Sequence, residues 1–376
     1  MNTGSLTQIF PPELMEQALL YVLVFFAATV GLLLFVLVVH KVAVEFRRRR
    51  KRRLRSRYRA YLRKYMLGRD GTVVRPRTKW AYEALASLCI DRLRHASEDD
   101  RVLIEDYIRG SSLLEFYQKM ASSSSVAKRF HAVRRLGFFK IEDLKPYFIQ
   151  VLMEEETVEV KGAAVWALSL VADREALRWI TTALSSDVSL SSKFNEMVYA
   201  NVIRCFREKG MASEFLAFLM KVKADPSVPV LLKRDMVEAC GSARLREASR
   251  LLVDFFYDFD DHPAVRIAAV RALGRLESPE LGGVITAALF HKDWRIRAQA
   301  AKAAFSWGEK AVSHLWNLLY DDVFFVRINA AQSLSRIGEK GVALLEKELT
   351  SDDPFVRDTV CFMLMTSKEA QTAADG

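Results

Sequence analysis

The sequence predicts an all-α protein, with a single N-terminal transmembrane helix followed by an α-solenoid of about eight helical hairpins. Three observations carry this expectation. Residues 18–39, ALLYVLVFFAATVGLLLFVLVV, contain no charged side chain. Residues 46–59, FRRRRKRRLRSRYR, place ten Lys or Arg in fourteen positions. From residue 260 onward, a motif centred on Val-Arg or Ile-Arg returns every 30 or 31 residues.

Length and composition set the frame. A chain of 376 residues that is 51% hydrophobic can bury a large core and holds either two average domains or one repeat array. Its formal charge of +10 would point to a polyanionic partner if it were spread over the fold, but it is not. Residues 1–40 carry only Glu13 and Glu16, and residues 41–64 carry thirteen basic groups against Glu45. Residues 65–376 are therefore formally neutral, which argues against a nucleic-acid-binding surface on the bulk of the chain.

The elements follow in order. Residues 1–17 form a short tail expected on the non-cytoplasmic side. The charge-free 22 residues rise about 33 Å as a helix, enough for a hydrocarbon core of about 30 Å, so 18–40 is expected to span a membrane. A cleaved signal peptide does not fit, because no positive charge precedes the apolar run and no small-residue cleavage site follows it. The basic flank fixes the expected orientation, with the N-terminus outside and the remainder cytoplasmic at a cell (inner) membrane. Within the span, Ala27 and Gly31 form a small-x-x-x-small pair that would let two helices approach as a homodimer.

Residues 41–68 read as a basic juxtamembrane amphipathic helix. Leu54, Tyr58, Tyr61, Leu62, Tyr65 and Met66 share one face, and the other is cationic. The expected lipid contacts are Arg47, Arg48, Arg49, Arg50, Lys51, Arg52, Arg53, Arg55 and Arg57 toward anionic headgroups, with Tyr58, Tyr61 and Tyr65 as aromatic anchors. The simpler reading, a stop-transfer and orientation signal, is compatible with it. Residues 69–120 hold helical patterns such as KWAYEALASLCIDRL outside the repeat register and are expected to cap the array.

Residues 121–370 carry the repeat. The segments DDHPAVRIAAVRALGRL, KDWRIRAQAAKAAFSWG, DDVFFVRINAAQSLSRIG and DDPFVRDTVCFML align on Arg266, Arg297, Arg327 and Arg357. The same slot holds Arg129 in VAKRFHAVRRLG, Lys161 in VKGAAVWALS and Lys233 in LLKRDMVEACG, and a degenerate unit fits near 190–221. Each unit splits into two apolar-periodic helices joined at a Gly suited to a C-cap. The Ala pairs 268–269, 300–301 and 330–331 suit close helix packing. Neither helix of a unit buries its apolar face alone, so neighbours must stack. Residues 371–376 are expected to form a frayed tail.

These D-x-x-V-R-x-x-A-A-x-x-L-G-like cores resemble the HEAT-repeat family, in its short class of about thirty residues associated with phycobilin lyases. The resemblance implies a ladder in which the slot arginines pair with an acid of the preceding turn or neighbouring repeat, here Asp261, Asp293, Asp322 and Asp353. It implies no single function, since such repeats serve lyases, DNA-repair enzymes and adaptors alike.

No short catalytic signature is found, the six His are scattered, and Cys89, Cys205, Cys240 and Cys361 show no ligand spacing. All four are expected to be buried thiols in reducing surroundings. The reading is therefore a non-enzyme with no catalytic residue, cofactor or metal. Phe255, Phe256, Tyr257 and Phe259 cannot all face inward on one helix, which makes them a candidate partner anchor. The expected function is a membrane-anchored scaffold or adaptor that docks a protein partner at the cytoplasmic face, for instance in an envelope polysaccharide, transport or signalling assembly. The alternatives are a bilin-lyase-like enzyme or cofactor handler and, less favoured, a DNA-binding repeat protein.

Overall fold

The computed structural model describes residues 12–68, 72–186 and 191–374, and no strand occurs among them. Most of the expected N-terminal tail and the last two residues lie outside this range. The chain divides into two compact units, residues 1–116 and 117–376.

The first unit is built on one uninterrupted helix, α1 (Pro12–Met66). It is long and apolar enough to cross a membrane, and its large apolar side chains from Leu20 to Val39 are all exposed. The same helix continues through the basic run, whose side chains from Arg48 to Arg53 are also exposed. Its last turns pack on α2 (Lys79–Leu93) and α3 (Glu98–Gly110), and α4 (Leu113–Ala121) follows in the chain. Thr78 caps α2 through its hydroxyl, and Ser97 caps α3, satisfying helix N–H groups that would otherwise lack acceptors.

This packing corrects the aromatic-anchor expectation. Tyr58 and Leu62 are 7% and 2% exposed, and Tyr61 and Tyr65 are half-buried. The Tyr65 ring lies edge-on to Tyr107 at 5.1 Å. Arg55 is paired with Asp91. The stripe read as facing lipid thus docks α1 onto its own unit, with Tyr58 and Leu62 covered by protein and Tyr61 and Tyr65 covered in part.

The second unit stacks helical hairpins in two layers. The first helices are α5 (Val126–Phe138), α7 (Val158–Ser169), α9 (Ser192–Glu208), α11 (Val230–Ser242), α13 (Pro263–Leu276), α15 (Trp294–Ala303), α17 (Phe324–Ile337) and α19 (Pro354–Ala374). Each packs against the next. Their partners are α6 (Lys145–Glu154), α8 (Arg174–Ser186), α10 (Ala212–Ala224), α12 (Ser249–Asp258), α14 (Gly282–Leu289), α16 (Val312–Leu318) and α18 (Glu339–Glu348). The described residues thus make seven hairpins and an eighth first helix, and the degenerate unit is the hairpin α9–α10.

Close approach of the first helices depends on missing side-chain atoms. A Cβ on Gly137 would lie 2.7 Å from Ala167 Cβ, and one on Gly241 would lie 2.7 Å from Ala272 Cα. On Gly274 it would meet Ala303 Cβ at 2.9 Å. These glycines therefore sit inside their helices as packing positions, which corrects the C-cap expectation. Gly338 at the end of α17, with φ +109°, does fill the junction role. Cys361 is exposed, in contrast to the buried Cys89, Cys205 and Cys240.

Replacing Gly241 by Val should lower the stability of the full-length chain in detergent by about 1–3 kcal/mol, because the added carbons meet backbone that cannot yield. Thermal melting followed by circular dichroism checks this. Gly283→Ala, where nothing lies within 4 Å of the new carbon, should leave the transition almost unmoved.

Candidate protein-docking surface

Two of the slot arginines, Arg297 and Arg129, share one geometry. Arg297 Nη1 donates to the carbonyls of His291 and Lys292 at 3.0 and 3.1 Å, in the turn before its own helix. Its Nε and Nη2 donate side by side to the Asp321 carboxylate at 2.7 and 2.9 Å, in the turn that follows. Arg129 repeats this arrangement. Its Nη1 donates to Ser123 and Ser124 carbonyls at 3.1 Å, while Nε and Nη2 meet Glu155 at 2.7 and 2.9 Å. Each complete rung thus ties two consecutive turns through a bidentate guanidinium–carboxylate pair.

The partner acids are not the expected ones. Asp293 and Asp353 accept backbone N–H groups at the starts of α15 and α19, at 2.9 Å from Arg295 and 2.8 Å from Phe355. Asp322 contributes its carbonyl to Arg327 at 3.2 Å, and Asp261 is exposed. A carboxylate immediately before a helix is placed to cap it, and Arg297 then reaches forward for its counter-ion. Arg266 departs further, with Nη1 2.6 Å from Asp260 and 2.7 Å from His291 Nε2. Burial, and then the Arg266 charge, push the His291 pKa down. Arg357 donates to the Ser351 carbonyl.

Around the degenerate hairpin, polar contacts replace the small-residue packing. Asp235, 1% exposed, accepts from Ser192 Oγ at 2.6 Å and from Asn195 Nδ2 at 2.9 Å. Asn201 Nδ2 donates to Ser169 Oγ at 3.0 Å, and Ser169 stands where other units have glycine. Glu238 is bonded by Arg271 and Arg275 at 2.5 and 3.2 Å. None of these groups was picked out from the sequence, because each is a polar residue at a position that other units fill with a different residue type.

In the other layer, α10 packs on its hairpin partner and on α11, while open clefts of about 700 and 580 Å³ flank it toward α8 and α12. Leu177, Phe206 and Val222 floor the first, and Arg178 and Lys221 stand on its rims.

The nominated aromatic anchor is mostly internal. Phe255 and Phe256 are fully buried, Phe259 stacks on Phe255 at 5.3 Å, and Phe256 lies under the Arg266 guanidinium at 4.9 Å. Tyr257 is exposed, with its hydroxyl donating to the Gly283 carbonyl at 2.7 Å. A cluster of exposed aromatics lies at the starts of three successive first helices: Trp294, Phe324, Phe325 and Phe355. Trp294 stacks on Phe325 at 5.9 Å. They stand two or three positions before Arg297, Arg327 and Arg357, a register that the aligned sequences carry and that composition by helix concealed.

Residues 249–335 match the family model of HEAT repeats. No curated protein matches the chain. Solved structures with a similar course include importin β, at 14% identity and a TM-score of 0.39, covering 77% of this chain and 45% of that one. Human deoxyhypusine hydroxylase matches at 18% identity and 0.28, covering 77% and 97%. The CpcE–CpcF complex of phycocyanin lyase from Nostoc matches at 18% and 0.25, covering 77% and 94%. The second unit is an all-helical, solenoid-like HEAT fold.

Two outcomes test the rungs. Arg297→Ala should destabilise the full-length chain by about 1–3 kcal/mol, because it leaves the Asp321 carboxylate, 7% exposed, without its two charged donors. An unchanged melting temperature would remove the rung from the account. The second test uses pH. The Arg129 bonds hold the Glu155 carboxyl at about 2, below its ordinary 4.5. A depressed folded-state pKa stabilises above the unfolded value and is lost as pH falls from about 4.5 toward 2. The stability gap between the native chain and Glu155→Gln should therefore be full at neutral pH and shrink below about pH 4.5.

Proposed function

We propose that this protein is a membrane-anchored scaffold whose HEAT-like solenoid docks a protein partner at the cytoplasmic face. The observation that carries the reading is the continuity of α1. One helix passes from a charge-free, fully exposed apolar stretch through an exposed basic collar to a stripe buried on α2 and α3. An exposed apolar stretch of that length is unfavourable in water and suits a hydrocarbon core. Cations directly after it keep that flank on the cytoplasmic side, near anionic headgroups.

On this reading residues 18–40 span, residues 41–53 form the collar, and the last turns of α1 join the anchor to the first unit without a flexible linker. The role for the solenoid rests on its exposed aromatics, since clustered aromatic side chains beside arginines are the composition of protein-binding hot spots. Ala27 and Gly31 offer a face on which two anchors could meet. Gly31 has nothing within 4 Å of where a Cβ would be.

A reporter that is active only in the cytoplasm, fused after Gly376, should be active, and the chain should resist extraction from membranes at alkaline pH. Periplasmic or lumenal reporter activity would overturn the orientation, and release at alkaline pH would overturn the anchor. Replacing Arg48 through Arg53 with Gln should weaken the orientation bias and yield a mixed topology while leaving the chain embedded.

A further inference from the structure

The rungs differ at one place in a way that their chemistry makes informative. Arg327 is 8% exposed, and its Nη1 donates to the carbonyls of Asp321 and Asp322 at 2.7 and 3.2 Å, like its counterparts. Its Nε is buried and has no acceptor. Nη2 has no bonded partner among the described residues either. The same edge holds a carboxylate in Arg129 and in Arg297. The acid Asp321 is already taken by Arg297, and Ser351 stands 24 residues after Arg327, the spacing that separates Arg297 from Asp321. In place of a carboxylate, the Phe324 and Phe355 rings lie 5.9 and 5.3 Å from the Arg327 guanidinium.

A buried guanidinium with two unused, parallel donors is costly to keep, and aromatic faces compensate it only in part. The rings beside it are the exposed ones, about 51% and 64% exposed for Phe324 and Phe355, with Phe325 and Trp294 adjoining. An edge suited to a planar two-oxygen acceptor therefore lies beneath the exposed aromatic patch, and an incoming carboxylate reaches it when the Phe324 or Phe355 ring moves aside.

We propose that the vacant Arg327 rung receives the carboxylate of an Asp or Glu side chain from the docked protein partner, with the partner's neighbouring apolar residues lying on Phe324, Phe325 and Phe355. This rests on the reading of the solenoid as a protein-docking scaffold and specifies what the partner must present: an acid flanked by apolar side chains. The incoming carboxylate completes the rung in trans, as Asp321 completes that of Arg297 in cis. Recognition comes from geometry as well as charge, because Nε and Nη2 offer two parallel bonds that an amide cannot match.

The test follows the Arg327 Nε–H resonance, identified by its loss in Arg327→Lys, in the full-length chain in detergent micelles. The probe is the acetylated and amidated peptide Leu-Asp-Phe-Leu, with Leu-Asn-Phe-Leu and sodium acetate as comparisons. The Asp peptide should move the resonance downfield and saturate, the Asn peptide should bind about tenfold or more weakly, and acetate at equal concentration should leave the resonance in place. Ser351→Asp supplies the missing carboxylate from within the chain. It should melt no lower than the native protein and should lose the response to the Asp peptide. An absent response to the Asp peptide, an equal one to the Asn peptide or acetate, or a full one in Ser351→Asp would each overturn the proposal. None of these outcomes depends on topology, so a failed anchor and a failed slot are told apart.

Discussion

The second unit depends on how Arg129 and Arg297, near the starts of their first helices, each satisfy two turns at once. Turns between stacked helices expose carbonyls that no helix bond can reach, and enclosing them without donors is expensive. Arg129 and Arg297 each give Nη1 to two such carbonyls and the opposite edge to an acid one repeat on. The bond therefore fixes register between neighbouring hairpins. Adding net stability is a lesser part of its role, since desolvating a charge pair offsets much of what its attraction supplies. The Asp residues at the helix starts serve a different need, capping α15 and α19, which frees the forward acid for the arginine.

Register alone does not bring helices together. Gly137, Gly241 and Gly274 give up their side chains so that Ala167, Ala272 and Ala303 of the next helix can sit against the backbone. Where that pattern stops, the interface changes chemistry. Ser169 replaces the glycine and accepts a bond from Asn201, and Asp235 gathers donors from α9. A polar interface of this kind is satisfied at fixed positions, so it specifies one arrangement of α7, α9 and α11 where apolar packing would tolerate several. The clefts beside α10 fall at this same hairpin.

The sequence exposes what is periodic and hides what is paired across repeats. From residue 260 onward the slot arginines recur at 30 or 31 residues, with the alanine pairs in nearly the same register, and could be aligned by eye. The partner of Arg297 could not, because Asp293 and Asp321 are both acids near a turn and only the direction in which the side chain reaches decides between them. The aromatic patch was missed for a related reason. FFYDF is conspicuous as a run, yet a helix turns Phe255 and Phe256 inward, while single aromatics at the same register of three units line up on the outside. Tyr58 and Tyr65 mislead similarly: an amphipathic stripe shows that a face is buried without saying whether lipid or protein covers it.

That last ambiguity bears on how α1 is joined to the rest of the chain. A helix that merely lay at the headgroups would leave its cytoplasmic unit free to swivel on a linker. Because Tyr58, Leu62 and Tyr65 are spent on α2 and α3, the direction of the first unit's core is set by the direction of α1 as it leaves the collar. The Arg55–Asp91 pair holds the helix at its entry to that core. If α1 spans a bilayer, its tilt is transmitted to the first unit through continuous backbone hydrogen bonds, and the basic collar fixes the depth at which that unit begins. The charge excess of the chain is concentrated in this collar, and residues 65–376 are formally neutral.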